Sequence, residues 1–126
     1  RMAEIKNILL VEDEKLLANL LKQRLEKENF SVFLAHDGEE ALKVLKTQKP
    51  NLILLDIILP KISGFELMET LKNDPTYNQA PIVIISNLGQ DTDVEKGQLL
   101  GAIGYFVKAQ VSIEDLVGRV KEFLVE

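Results

Sequence analysis

Glu12-Asp13, Asp56, Ser86 and Lys108 each stand directly after a short apolar run of the chain. Taken singly, each has an ordinary structural use. Glu12-Asp13 precedes a helical pattern and suits an N-cap, with the second acid favoured by the helix dipole. Ser86 suits a turn and Lys108 a solvated surface. Asp56 is harder to place, because Leu52-Ile53-Leu54-Leu55 precedes it and Ile57-Ile58-Leu59 follows it. A lone carboxylate among such neighbours is costly unless it is paired or liganded.

Brought to one edge of a fold, these residues would do chemistry that none does alone. Two carboxylates ~4 Å apart repel by about 4 kcal/mol at an effective dielectric near 20, so three of them call for a cation. Oxygen donors without histidine or cysteine select a hard ion, and Mg2+ leads because it accepts few protein ligands and keeps several waters. Lys108 would add a second positive charge. An acidic pocket with a divalent ion and a lysine suits phosphoryl transfer onto a carboxylate, where positioning and charge neutralisation do most of the work. No general base is needed, because the nucleophile is already ionised. The single histidine, His36, is placed away from this edge, at the end of a second strand.

The elements that must position these residues alternate along the chain. Strand patterns cover Asn7–Val11, Phe30–Ala35, Asn51–Leu55, Ile82–Ile85 and Tyr105–Val107. Between them run helical patterns. Glu14–Glu28 carries Leu17, Leu20, Leu21 and Leu25 on one face, and the next helix opens with Asp37 and Glu40 as a capping box over Ala41, Leu42 and Leu45. Ser63 and Glu66 repeat that box before Phe65, Met68 and Leu71, and Asn73-Asp74-Pro75 ends the run. A polar helix spans Asp91–Leu100 and stops at Gly101. Ser112 with Asp115 caps the last helix, whose inner face is Leu116, Val117, Val120, Phe123 and Leu124.

Strands apolar on both faces, separated by amphipathic helices, predict an α/β fold: one doubly wound (βα)5 domain over 1–126 with a parallel five-stranded sheet. In such sheets the chemistry lies at the C-terminal strand ends, where all the candidate residues fall.

Bulk properties narrow the function classes. The 126 residues suit one domain, and 46% hydrophobic with 28% charged residues is an ordinary globular balance. There is no cysteine, which excludes disulfides, thiolate metal sites and thiol nucleophiles and fits a cytoplasmic setting. A net charge of −5 with lysines dispersed argues against direct nucleic-acid binding by this segment. No apolar run reaches the ~18 residues of a membrane span.

Five segments in order resemble the receiver domains of bacterial two-component response regulators: Leu10-Val11-Glu12-Asp13-Glu14, Leu54-Leu55-Asp56-Ile57-Ile58-Leu59-Pro60, Ser63-Gly64, Ile84-Ile85-Ser86, and Gly101-Ala102 through Tyr105-Phe106-Val107-Lys108. Each motif is weak alone, and the ordered set is specific. The resemblance implies a flavodoxin-like strand order 2-1-3-4-5, an arrangement the chemotaxis receivers share. It implies Asp56 as phosphoacceptor and Asp13 as a direct Mg2+ ligand, with Glu12 acting through water and the backbone carbonyl of Ile58 completing the site. Ser86 and Lys108 would contact the phosphoryl group, and Tyr105 would be the switch aromatic. It further implies a phosphohistidine donor on a sensor histidine kinase or histidine phosphotransfer protein. Phosphorylation would shift the face made by helix four, strand five and helix five, toward an output domain, a target protein or a homodimer formed on activation. Beyond its own phosphorylation and dephosphorylation, no enzymatic activity is implied.

Three positions depart from the family pattern. Ala109 stands where proline is usual, so a trans bond and a differently shaped loop are expected after Lys108. Asn87 follows Ser86 where a smaller residue is commoner. Ser63 replaces a frequent aspartate but caps equally well. Ala109 and Asn87 favour the alternative of an interaction module that works without phosphorylation, while the intact acidic set favours the phosphoacceptor. A phosphatase of the haloacid dehalogenase type would want an aspartate at position 58, where Ile58 stands. No glycine-rich phosphate loop follows the first strand.

Overall fold

A computed structural model describes residues 4–124; residues 1–3 and 125–126 of the expected 1–126 domain lie outside the described residues. The elements run β1 (Asn7–Val11), α1 (Lys15–Lys27), β2 (Ser31–Ala35), α2 (Gly38–Thr47), β3 (Leu52–Leu55), α3 (Gly64–Asn73), β4 (Ile82–Ser86), α4 (Asp91–Leu99), β5 (Gly104–Val107), a 3-10 turn (Lys108–Gln110) and α5 (Ile113–Leu124). The sheet is parallel throughout, with order β2-β1-β3-β4-β5. This is the flavodoxin-like (βα)5 topology expected from the sequence.

The strands read as continuous apolar runs because the sheet is covered on both faces. Ile8 and Leu10 of β1, with Leu52 and Leu54 of β3, turn to one side and pack under α1 and α5. Leu9, Val11, Ile53 and Leu55 turn to the other, against Ala41, Leu45, Phe65, Leu67 and Met68 of α2 and α3. The edge strand β5 is half-buried along its length rather than enclosed. Among the helices α4 is the polar one, with only Gly97 buried.

Helix ends follow local chemistry. The Glu40 N–H donates to Asp37 Oδ1 at 2.9 Å, the Glu66 N–H to Ser63 Oγ at 3.2 Å, and the Asp115 N–H to Ser112 Oγ at 3.0 Å. The expected boxes at Asp37 and Ser63 thus show their N-cap half. At α4, the Gln90 N–H donates to Asp93 Oδ2 at 3.1 Å. The helix stops at Gly101, whose φ of +101° is one that L side chains rarely adopt.

Several boundaries move by a residue. Phe30 belongs to the exit turn of α1, because its N–H donates to the Leu25 carbonyl. Asn51 stands just before β3, giving its N–H to the Asn7 carbonyl and accepting the Asn7 N–H on its side chain. Ser86 joins β4 and Gly104 joins β5, where they pair with Val107 and Val83.

Candidate functional site

The register places the candidate residues on one edge. Val11 is aligned with Ala35 on one side and with Leu55 on the other, so β1, β2 and β3 finish level. The ladder continues one residue further. The Glu12 N–H donates to the Ala35 carbonyl at 2.9 Å and the Asp56 N–H to the Val11 carbonyl at 3.0 Å. Glu12 and Asp56 are therefore held by backbone hydrogen bonds in the sheet itself. Glu12 is fully buried, Asp56 is 3% exposed, and Asp13 faces solvent.

Lys108, at the end of β5, reaches across this edge. Its Nζ lies 2.8 Å from Asp56 Oδ2, 2.8 Å from Glu12 Oε1 and 3.3 Å from Glu14 Oε2. The Ile58 N–H donates to Asp56 Oδ1 at 3.2 Å, so the two oxygens of Asp56 have different partners. The Glu14 N–H donates to Glu12 Oε2, whereas Glu12 Oε1 is buried with an ion contact but no aligned hydrogen bond.

Burial pushes the Glu12 carboxyl up to about 7, and the Asp56 charge adds to the rise against the pull of Lys108 and of the Glu14 N–H. For Lys108, burial works to lower the pKa. Its hydrogen bond to Asp56 and its close charge pairing with Asp56 and Glu12 outweigh that and hold it above the ordinary lysine value. The ammonium is thus fixed in its charged state by the acids it serves.

The edge also satisfies the donor chemistry of a divalent cation. Among the described residues, Glu12, Asp13 and Asp56 place carboxylate oxygens within 4.8 Å of one another. All are hard oxygen donors, and the buried Glu12 Oε1, which already draws the Lys108 ammonium to 2.8 Å without an aligned hydrogen bond, is the kind of acceptor on which a cation settles.

Ser86, fully buried at the end of β4, accepts the Leu88 N–H on its Oγ at 3.2 Å. Tyr105 donates its hydroxyl to the Leu88 carbonyl and lays its ring on the Gly97 backbone of α4. Burial, with the charges of Asp93 and Asp56, raises the Tyr105 phenol above its usual value. Ser86 and Tyr105 are therefore joined through one loop residue. No peptide bond among the described residues is cis, so the Lys108–Ala109 bond is trans as expected.

Three participants escaped the sequence reading. Glu14 reads in the sequence as the start of a helix, although it sits beside Glu12-Asp13. Leu88 acts through its backbone, which leaves no residue-type signal. His36 is not remote, since its Nδ1 lies 3.3 Å from the Glu12 carbonyl oxygen where β2 finishes beside β1.

The family model for the response regulator receiver domain matches residues 8–121. The chain is 39% identical over 119 residues to the alkaline phosphatase synthesis transcriptional regulatory protein PhoP of Bacillus subtilis, covering 94% of this chain and 48% of that protein. It is 38% identical over 117 residues to the transcriptional regulatory protein CpxR of Escherichia coli, covering 93% and 48%. The chain thus spans about half the length of these curated relatives. Among solved structures, a response regulator receiver domain protein of Methanospirillum hungatei superposes with a TM-score of 0.85 at 30% identity, covering 96% of this chain and 94% of that one.

Proposed function

The chain belongs to the response regulator receiver domain family, and from that premise we propose that 1–126 is a receiver domain in which Asp56 accepts a phosphoryl group. The observation that carries this reading is the pairing at Asp56: a nearly buried carboxylate with one oxygen on Lys108 and two further acids beside it. Such a group is oriented and shielded from bulk water before any donor arrives.

The proposed donor is a phosphohistidine on a sensor histidine kinase or a histidine phosphotransfer protein. An Asp56 oxygen forms a bond to phosphorus while the phosphorus–nitrogen bond breaks, and the imidazole nitrogen leaves with the electron pair. Lys108 turns one of its N–H donors toward a phosphoryl oxygen, and the Ser86 hydroxyl approaches another. Asp13, Glu12, Asp56 and the Ile58 carbonyl would hold Mg2+. When bound, that ion neutralises the charge on the phosphoryl oxygens. Engaging Ser86 takes its Oγ from the Leu88 N–H, and Leu88 in turn carries the acceptor of Tyr105. The event at Asp56 thereby reaches the face of α4, β5 and α5, where an output domain or target protein would read it.

Intact-mass measurement after incubation with acetyl phosphate tests the proposal. Wild type with Mg2+ should gain one phosphoryl group, while Asp56→Asn and a chelator-treated sample should gain none. Equal label on wild type and Asp56→Asn would overturn it and leave the phosphorylation-independent interaction module as the better reading.

A further inference from the structure

Lys108 has three N–H donors, and three carboxylates lie around them. Two, Asp56 and Glu12, are buried acids 2.8 Å away; the third, Glu14, is 3.3 Å away with its side chain 63% exposed. Glu14 is the N-cap residue of α1, yet its side chain makes no capping hydrogen bond. No structural duty of the helix holds the Glu14 carboxylate over the site. What it does there is occupy a donor of Lys108.

From this geometry we infer that Glu14 is a positioning residue that competes with the phosphoryl group for Lys108 and so slows loading of Asp56. The inference rests on Asp56 being the phosphoacceptor. In loading from acetyl phosphate, an Asp56 oxygen bonds to phosphorus, the bond to the acetate oxygen breaks, and acetate leaves with the electron pair. Lys108 must then turn an N–H toward a phosphoryl oxygen. Glu14 is the partner that yields, being the longest contact and the most exposed, and its charge is repelled by the arriving phosphoryl group.

The Glu14 contact therefore stabilises the unphosphorylated protein and is already lost in the transition state. In the loaded state it is lost as well. Hydrolysis begins from that loaded state, so it does not feel the competition. Removing the Glu14 charge should speed loading and leave hydrolysis alone. An exposed ion pair of this kind shifts an equilibrium by up to about fivefold, which bounds the gain.

The experiment compares wild type, Glu14→Gln and Glu26→Gln with acetyl phosphate and Mg2+, following loading and then decay after the donor is removed. Glu26 is an exposed acid on α1 and gives the same change in net charge. Expected is loading about two- to fivefold faster in Glu14→Gln, with its decay constant unchanged and Glu26→Gln like wild type. Unchanged loading in Glu14→Gln, an equal gain in Glu26→Gln, or loading and decay shifted by the same factor would each overturn the inference. A wild type that takes no label overturns this inference together with the phosphoacceptor reading; a labelled wild type matched by Glu14→Gln overturns this inference alone.

Discussion

A Cβ placed on Gly64 would stand 2.4 Å from the carbonyl oxygen of Asp56, and 2.7 Å from the Ile57 Cα. The first turn of α3 is thus pressed onto the backbone that carries the proposed phosphoacceptor, with the Gly64 N–H donating to the Ile57 carbonyl at 2.8 Å. Both obstacles are backbone atoms, which cannot rotate away.

Gly64→Ala should therefore destabilise the protein by about 1–3 kcal/mol through overpacking and reduce labelling of Asp56 in the fraction that remains folded. Gly118→Ala is the counterpart, because a Cβ there meets nothing within 4 Å inside α5. It should stabilise by up to about 1 kcal/mol and leave labelling unchanged. Urea denaturation with acetyl phosphate labelling checks both.

Lys108→Met removes the cation from the Glu12 and Asp56 pair. Breaking a fully buried pair costs about 3–5 kcal/mol, and the partial exposure of Lys108 reduces the expected loss to roughly 1–3 kcal/mol. Added Mg2+ should raise the melting temperature of this variant more than that of wild type, since the ion then meets the acids without a competing ammonium. An equal rise in both proteins would contradict the charge balance described for the site.

The hydroxyl of Tyr105 is expected to contribute to stability rather than to chemistry. Tyr105→Phe keeps the ring on Gly97 and loses the donor to Leu88, so it should cost about 0.5–1.5 kcal/mol. Its loading rate at Asp56 should match wild type. A large fall in that rate would place Tyr105 nearer the phosphoryl group than the structure does.

Asp37, the N-cap of α2, supplies a pH dependence of its own. The Glu40 N–H holds its carboxyl below the ordinary aspartate value, against the effect of burial and with help from Lys61. Because the folded pKa is the lower one, this contribution is fully present above about pH 4 and is lost as pH falls through the folded pKa. Asp37→Asn keeps a capping oxygen without that titration. Chemical denaturation between about pH 6 and pH 3 should show the advantage of wild type over the variant shrinking with acid. A difference that stays constant across the range would remove Asp37 from the account.

The topology was legible in the sequence because continuous apolar runs such as Leu52–Leu55 have no exposed face to hide. Ser63 and Ser112 showed their helix starts through side chains that cap. Phe30 misled because an apolar residue after a helix looks the same whether it closes a turn or opens a strand. The candidate site was legible as a set of residue types at strand ends, but its wiring was not. Leu88 contributes only backbone atoms, and Glu14 and His36 enter through approaches at the C-terminal end of the sheet that spacing does not encode.

Mapping the modified residue tests Asp56 as the phosphoacceptor without intermediaries. After incubation with acetyl phosphate and Mg2+, borohydride reduction converts an aspartyl phosphate to homoserine, and peptide mass spectrometry locates the change. Homoserine is expected at position 56 in wild type, none there when Mg2+ is chelated, and none elsewhere in Asp56→Asn. Homoserine at another acid in wild type, or no conversion under conditions that modify a known receiver, would contradict that role for Asp56.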